Sequence, residues 1–414
     1  MTMASARFRD VFGSGAFRAL FAVQTLIVLA DTMRMLALSV LVFERTGSSL
    51  AAAVTFAAGF LPHVVGGMFL LSLADRLRPR TLLAGFHALW MAVTVLLALV
   101  ELPVALVIAL PVLTGLVAPV ARAATQGMLP ELLPGDAYVL GRSLFTMTAA
   151  SAQVAGHGAA GMLLLAGGPP TVLWVAASGG AVAAVIAWWG LDDRPPRRTG
   201  TGMGIGETLR VNRSLMADAR TRALLFAQWL PISLAVGAEG VVIAYAAELG
   251  RPGAAGLIMA AFAAGMLVGN LVVGRFAAPD LRERLVLALA LVNAVPLLLF
   301  ALEPGMVVTC VIGVVSGFGL SYEVGLQRPF VDAVPEERHG QALGLAGIGV
   351  MTGQALAMAG AGGLAEVVPP GVAMAAFGAA AAVSAVWLCR RAVLAERPAG
   401  HPTARTESGR RTRA

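Results

Sequence analysis

Asp31 and Glu239 each fall inside a long apolar run, where an acid is costly: an ionisable side chain at the centre of a membrane helix costs about 2.5 to 3.5 kcal/mol on insertion scales. A carboxylate so placed can take up and release a proton, or hold a cation. Gln24 precedes Asp31 by two helical turns and Gln228 precedes Glu239 by three, so each amide shares a helical face with its acid. Arg34 follows Asp31 at i+3 and can pair with it. Two readings of that pair stand open: mutual neutralisation of buried charges, or a carboxylate that takes a proton when Arg34 is displaced. Glu239 has no basic residue at i±3 or i±4. That suits a proton carrier or a binder of cations, and the alternative is an acid hydrogen-bonded to a neighbouring helix or facing water.

Two further pairs are secondary candidates. Glu323 and Gln327 share a face near the end of an apolar run, where long side chains reach water, which favours a structural or gating role. Gln153 and His157 stand at i, i+4. Histidine can relay protons near neutral pH, although a histidine on a glycine-rich face is more simply a packing residue. No phosphate loop with lysine, His/Cys metal spacing or nucleophile elbow occurs. The chain is therefore not expected to be an enzyme, and no metal or cofactor is expected.

The elements that must position these residues follow from composition. Of 414 residues 58% are hydrophobic and 13% charged, with a mean hydropathy of +0.81. That is too little charge to cover a soluble globule of this size. Apolar runs long enough to cross about 30 Å of hydrocarbon as helix fall at 18–43, 49–73, 81–101, 104–128, 138–166 and 171–191, and again at 223–247, 253–276, 284–302, 305–327, 341–365 and 370–389. They are continuous rather than alternating, so an all-α membrane protein of twelve spans is expected, not a barrel. All 30 basic residues are arginine, and their placement follows the positive-inside rule, so the high pI gives no reason to expect nucleic acid. Arg76, Arg78, Arg80, the stretch 192–222, Arg275, Arg282, Arg284 and Arg338 fall on the side of the N-terminus, and only Arg45 and Arg251 fall opposite. Both termini are thus expected in the cytoplasm.

The first half of the chain recurs in the second. Arg18-Ala19-Leu20 with Gln24 returns as Arg222-Ala223-Leu224 with Gln228, and Glu44 returns as Glu248. Arg76 matches Arg275, and Gln126 with Pro134 matches Gln327 with Pro335, all in order and at nearly one offset. A duplicated six-helix unit is expected: a bundle over 1–191, a cytoplasmic loop over 192–222, a second bundle over 223–390 and a disordered tail over 391–414. Trp229, Tyr245, Tyr322, Met259 and Met351 are compatible with an adaptable apolar pocket or with plain packing. Trp188, Trp189 and Trp387 stand near span ends, as interface anchors do.

The stretch Leu73 to Arg80, LADRLRPR, resembles the loop between the second and third helices of major facilitator superfamily transporters, G-x-L-A-D-R-x-G-R-R. Leu73, Ala74, Asp75, Arg76 and Arg80 fit, whereas Leu71, Arg78 and Pro79 depart from the pattern. ARAATQGMLPELLPGDAYVLGRSL, VPEERHGQALGL and the Gln24 and Asp31 positions look like the drug-exporter branch that contains macrolide and siderophore exporters. Ala152, Gly156, His157, Ala160 and Gly161 keep the spacing of the antiporter motif G-x-x-x-G-P-x-x-G-G with His157 in place of proline. The resemblance implies two six-helix bundles around a mid-membrane site, a monomer in the bacterial inner membrane, and export of a small, largely apolar organic compound in exchange for protons. It also implies that Asp75 caps the start of the eleventh helix, with Arg76, Arg80 and Arg122 completing a gate that breaks between states. Metabolite uptake or facilitated diffusion, and a non-transporting sensor or assembly protein with the same fold, remain alternatives.

Overall fold

The computed structural model describes residues 8–60, 62, 76–133, 136–196 and 205–394, and among these every regular element is helical. A short helix α1 (Phe8–Phe12) precedes α2 (Gly15–Thr46), whose first turn is capped by the Ser14 hydroxyl accepting from the Phe17 amide at 3.3 Å. Gly47 ends α2 with a left-handed φ of 66°, a conformation open to glycine. Ser48 then caps α3 (Ser49–Ala57) by accepting from the Ala51 amide at 3.0 Å. The first half continues with α4 (Pro79–Leu99), α5 (Val104–Leu132) and α6 (Asp136–Gly190). The second half contains α7 (Ile205–Ala217), α8 (Ala219–Glu239), α9 (Val242–Glu248), α10 (Ala255–Phe276), α11 (Pro279–Ala294), α12 (Met306–Gly319), α13 (Tyr322–Asp332), α14 (His339–Leu364) and α15 (Pro370–Leu394).

Ten helical stretches among the described residues are long and apolar enough to cross a membrane. One of them, Leu140–Gly190, has 51 residues, more than twice what a single crossing needs at about 1.5 Å per residue. It breaks at Gly168 (φ 70°), just before Pro169 and Pro170, where the fifth and sixth expected spans meet. The second expected span is described only through Phe60 and at Pro62. An all-α membrane fold of twelve spans accords with this arrangement.

Three boundaries differ from the sequence expectation. The stretch 192–222 contains α7, whose buried Leu215 and part-buried Val211 form one face, with Arg210 and Arg213 exposed on the other. A single apolar stripe on an otherwise polar segment suffices for a surface helix. The seventh span, 223–247, is divided by a break at Gly240–Val241, and Pro231 stays inside α8. The last helix runs to Leu394, past the expected end of the second bundle.

Helix α2 packs on α3 and α6, and α4 on α5 and α6; α8 packs on α14 and α15, and α10 on α12. The two halves meet where α6 crosses α10 and where α3 crosses α14. Both crossings depend on missing side chains. Gly161 and Gly256 touch through their backbones, and a Cβ on Gly362 would lie 3.0 Å from the Leu50 Cα. Both contacts lie toward the α2–α3 turn. Toward the opposite end, Arg142, Thr146 and Met147 of α6 and Leu343, Gly344 and Gly347 of α14 are exposed. Among the described residues the halves are in contact at the face of the α2–α3 turn. Large apolar side chains on the outer surface, Trp189, Leu302 and Val383 among them, are exposed, as a lipid-facing surface requires.

Candidate functional site

A cavity of ≈ 100 Å³ lies within the first half, walled by α2, α4 and α5. Gln24, Asp31 and Arg34 reach it from α2, His87 and Trp90 from α4, and Thr114, Arg122 and Thr125 from α5. Val23, Ile27, Leu83 and Phe86 supply apolar wall. The shared face of Gln24 and Asp31 expected from spacing is thus the cavity face.

Asp31 is the junction of the site. Its Oδ1 accepts from Arg34 Nη2 at 2.8 Å and from the indole Nε1 of Trp90 at 3.2 Å. The Arg34 guanidinium also stacks over the Trp90 ring, 4.3 Å from its centroid, a geometry in which the π-face attracts the cation. The two partners differ in access: the Arg34 side chain is 3% exposed and that of Asp31 41%. Water can reach the carboxylate, while the guanidinium is sealed behind it. Arg34 Nε and Nη1 are buried without a hydrogen-bond partner, which is costly for a charged group. His87 is 3% exposed and stands edge-on to Phe86, with its Nδ1 unpartnered.

Arg122 faces this same cavity from α5. It is exposed, and among the described residues it has no hydrogen-bond or ion-pair partner. Its expected gate partner, Asp75, lies outside the described residues. Arg76 is exposed, and the Arg80 guanidinium stacks on Trp188 at 4.6 Å. Arg78 pairs with Asp193 at 2.6 Å, both side chains exposed.

The second half places its candidates differently. Between Pro231 and Ala246 every residue is buried except Leu234 and Glu239, which are part-exposed. Glu239 is the last residue of α8, directly before the Gly240–Val241 break. Glu323 likewise follows a break, at Leu320–Ser321, and is part-exposed. Among the described residues neither acid has a hydrogen-bond or ion-pair partner. Gln228 donates to the Leu224 carbonyl of its own helix at 3.3 Å, and Gln327 is exposed. Neither acid lines the cavity of the first half.

His157 sits at the α6–α10 crossing, its carbonyl against Gly256 and its ring Nδ1 buried without a partner, while Gln153 is exposed. One turn away in space, a Cβ on Gly156 would meet the Leu29 carbonyl oxygen at 2.9 Å and Thr32 Cβ at 3.0 Å. The small residues of that motif therefore bring α6 against α2 beside Asp31. Tyr245, Tyr322 and Trp229 bond to the carbonyls of Pro304, Ala227 and Ala346. Together with buried Met259 they are packing residues, not pocket lining. Trp188, Trp189 and Trp387 are exposed on the outer surface, as interface anchors should be.

Sequence reasoning did not find Trp90 or Glu366. Trp90 lies in an apolar span with nothing in its neighbours to separate a site residue from packing. Glu366, in the turn between α14 and α15, accepts from the Leu50 amide at 2.8 Å and from Ser48 Oγ at 2.9 Å. It thereby ties the second half to the first turn of α3, where a carboxylate suits the helix N-terminus. The available signal was the serine pair that opens α3, a capping site with room for a second acceptor.

The family model described as Major Facilitator Superfamily matches residues 20–244 and again 232–413. No curated protein matches the chain in sequence. Among solved structures, the fold is similar to that of the nucleoside transporter NupG in a mutant form (TM-score 0.72, 14% identity, 92% of this chain and 100% of that one). It is also similar to a POT family transporter bound to a thioalcohol-conjugated peptide (0.69, 13%, 92% and 96%). A third similar structure is a bacterial homologue of the human lysosomal transporter Spinster, inward-facing and unoccupied (0.65, 15%, 94% and 95%).

Proposed function

We propose that this chain, which belongs to the major facilitator superfamily, is a proton-coupled transporter that exports a small organic compound across the bacterial inner membrane by alternating access. The observation that carries this reading is Asp31, a carboxylate open to a mid-span cavity and held between Arg34 and Trp90. A proton arriving on Asp31 removes the charge that Arg34 pairs with, so protonation and the arrangement of α2, α4 and α5 are linked. Glu239, without a partner among the described residues, is the second coupling candidate. Gln24 and Gln228 are polar contacts for substrate or water on the same two helices.

In this reading the halves 1–191 and 223–390 rock about the α6–α10 and α3–α14 crossings. The Arg-rich loops lie at the end away from the α2–α3 turn, which makes that face cytoplasmic under the positive-inside rule. In this reading the cavity loads cargo from the cytoplasm, and the spacing of the antiporter motif supports exchange for protons. Asp75 with Arg76, Arg80 and Arg122 would gate the cytoplasmic face, and Glu366 latches the other. Glu323, Gln327, Gln153 and His157 are assigned to helix packing and gating, and the monomer to the working unit. Uptake together with protons is the second reading. Arg122 favours it, because an exposed guanidinium without a hydrogen-bond or ion-pair partner among the described residues suits a negative cargo, which moves inward against the membrane potential only with protons alongside.

The test is accumulation of a panel of labelled compounds in cells that express the chain, with and without a protonophore, beside Asp31→Asn and Glu239→Gln. Lowered accumulation that the protonophore abolishes, and that at least one variant loses while still reaching the membrane, supports export in exchange for protons. Raised accumulation selects uptake, and no change across a broad panel counts against transport of such compounds.

A further inference from the structure

Among the described residues the cavity is lined by two arginines and one carboxylate. That carboxylate, Asp31, is already engaged by Arg34 and Trp90. Arg122 feels the same carboxylate through space but has no hydrogen bond or ion pair among the described residues, and it is open to the cavity. Planar guanidinium donors of this kind match the oxygens of a carboxylate, phosphonate or sulfonate. A neutral ligand would leave Arg122 without an acceptor, and a cation would be repelled by it. The rest of the wall is apolar and aromatic: Val23, Ile27, Leu83, Phe86 and the Trp90 ring. At ≈ 100 Å³ there is room for a body on the order of one aromatic ring.

We infer that the cargo of this cavity is a small organic anion, an oxyanion headgroup on a compact apolar or aromatic body, with Arg122 as its charge partner. This revises the sequence expectation of a largely apolar compound: the apolar part is the smaller share of the recognition. The reasoning is one of unsatisfied donors. An oxyanion supplies an acceptor to Arg122, offsets the net positive charge of the described lining residues, and seats its ring against the wall that Phe86 and Trp90 form. The inference rests on the cavity being the transport site and holds for either direction of transport.

The experiment is calorimetric titration of the full-length chain in phosphatidylcholine nanodiscs, with no gradient present. The probes are benzoate, phenylphosphonate, benzamide, benzylammonium and inorganic phosphate. The two organic oxyanions should bind, with benzamide, benzylammonium and inorganic phosphate each at least about tenfold weaker. Arg122→Gln should weaken benzoate by about tenfold or more, and Arg122→Lys, which keeps the charge, by about threefold. Arg122 is exposed, so neither variant should fail to fold, and an unchanged melting temperature checks this. Benzamide binding as well as benzoate, Arg122→Gln leaving benzoate unaffected, or no oxyanion binding up to tens of millimolar would each overturn the inference. Binding without a gradient is separate from coupling. Oxyanion binding that survives a failure of the cell assay would keep the substrate class while removing the proposed export.

Discussion

The two halves of this molecule carry their buried charge in opposite ways. In the first half Asp31 is tied at 2.8 Å to Arg34 and at 3.2 Å to Trp90, and a second cation shares the cavity. In the second half Glu239 and Glu323 each stand beside a break in their helix, with no partner among the described residues. Alignment by the sequence repeat puts Ala235 opposite Asp31 and Ala238 opposite Arg34. The pair is therefore a feature of the first half alone. A paired acid responds to anything that competes for its partner, whereas a lone acid responds only to protons and to the polarity of its surroundings. The first half is thus suited to link a proton on Asp31 to whatever competes for Arg34, and the second to register protons alone, and Asp31 and Glu239 sit on the helices that the repeat places in correspondence.

The sharpest way to break this comparison is to neutralise each acid in turn. Asp31→Asn leaves Arg34 buried without a counter-charge, and losing one member of a buried pair costs about 3 to 5 kcal/mol. Because Asp31 is itself 41% exposed, a loss of about 1 to 3 kcal/mol is expected, together with at least a tenfold loss of proton-driven transport. Glu239→Gln removes no pairing, so thermal stability should hold within about 1 kcal/mol while coupling falls. Thermal unfolding of the two variants in detergent, beside transport, separates these outcomes. Equal destabilisation would erase the distinction between the halves.

Next in size is Trp90→Phe, which keeps a ring under Arg34 but removes the indole donor to Asp31. A loss of about 1 to 2 kcal/mol is expected from the hydrogen bond and the weaker cation–π contact, read by thermal unfolding. The corresponding change of Trp229 to Phe should leave any Asp31-dependent transport unaltered, since Trp229 bonds to Ala346 within the second half.

The latch between the halves gives a smaller, pH-dependent effect. The Leu50 amide, with help from the Ser48 hydroxyl, holds the Glu366 carboxyl below the usual carboxylate range. A depressed carboxylate contributes its stabilisation above its unfolded pKa, and the contribution disappears as pH falls through the depressed folded value. Closure at this face should therefore be insensitive to pH near neutrality and weaken only in acid. Glu366→Gln should reproduce the acid behaviour at neutral pH, at a cost of about 0.5 to 1 kcal/mol. A distance measurement between spin labels on α3 and α14 would record it. The smallest effect is expected at Asp218, where the Thr221 amide holds the carboxyl below its ordinary range. Asp218→Ala removes the N-cap of α8 for about 1 kcal/mol or less, without changing substrate binding.

Much of the fold was legible because hydrocarbon imposes long continuous apolar runs, and the turn at Gly168 followed by two prolines marks itself. The Asp31–Arg34 pair was legible because i, i+3 spacing is a local property of α2. Trp90 was not, since it reaches Asp31 from another helix and an apolar span does not announce which of its aromatics turns inward. The break in the seventh span was not legible for a related reason. Pro231 removes only one amide from a helix that its buried neighbours hold in line, whereas at Gly240 the amide bonds to Gly237 and the Val241 amide to Ala238, a tighter turn that ends α8. Helix α7 escaped because its polar composition conceals one apolar stripe.

The central claim is that Asp31 couples protons to the cargo of the cavity. Its most direct measurement is flux in proteoliposomes that contain the purified chain, with a cargo identified by the binding or accumulation panel and an imposed pH gradient. The native chain should accumulate cargo beyond equilibrium only while the gradient lasts. Asp31→Asn should retain exchange of labelled for unlabelled cargo at equal concentrations but lose gradient-driven accumulation. If that variant accumulates cargo as the native chain does, Asp31 is not the coupling group and the account fails.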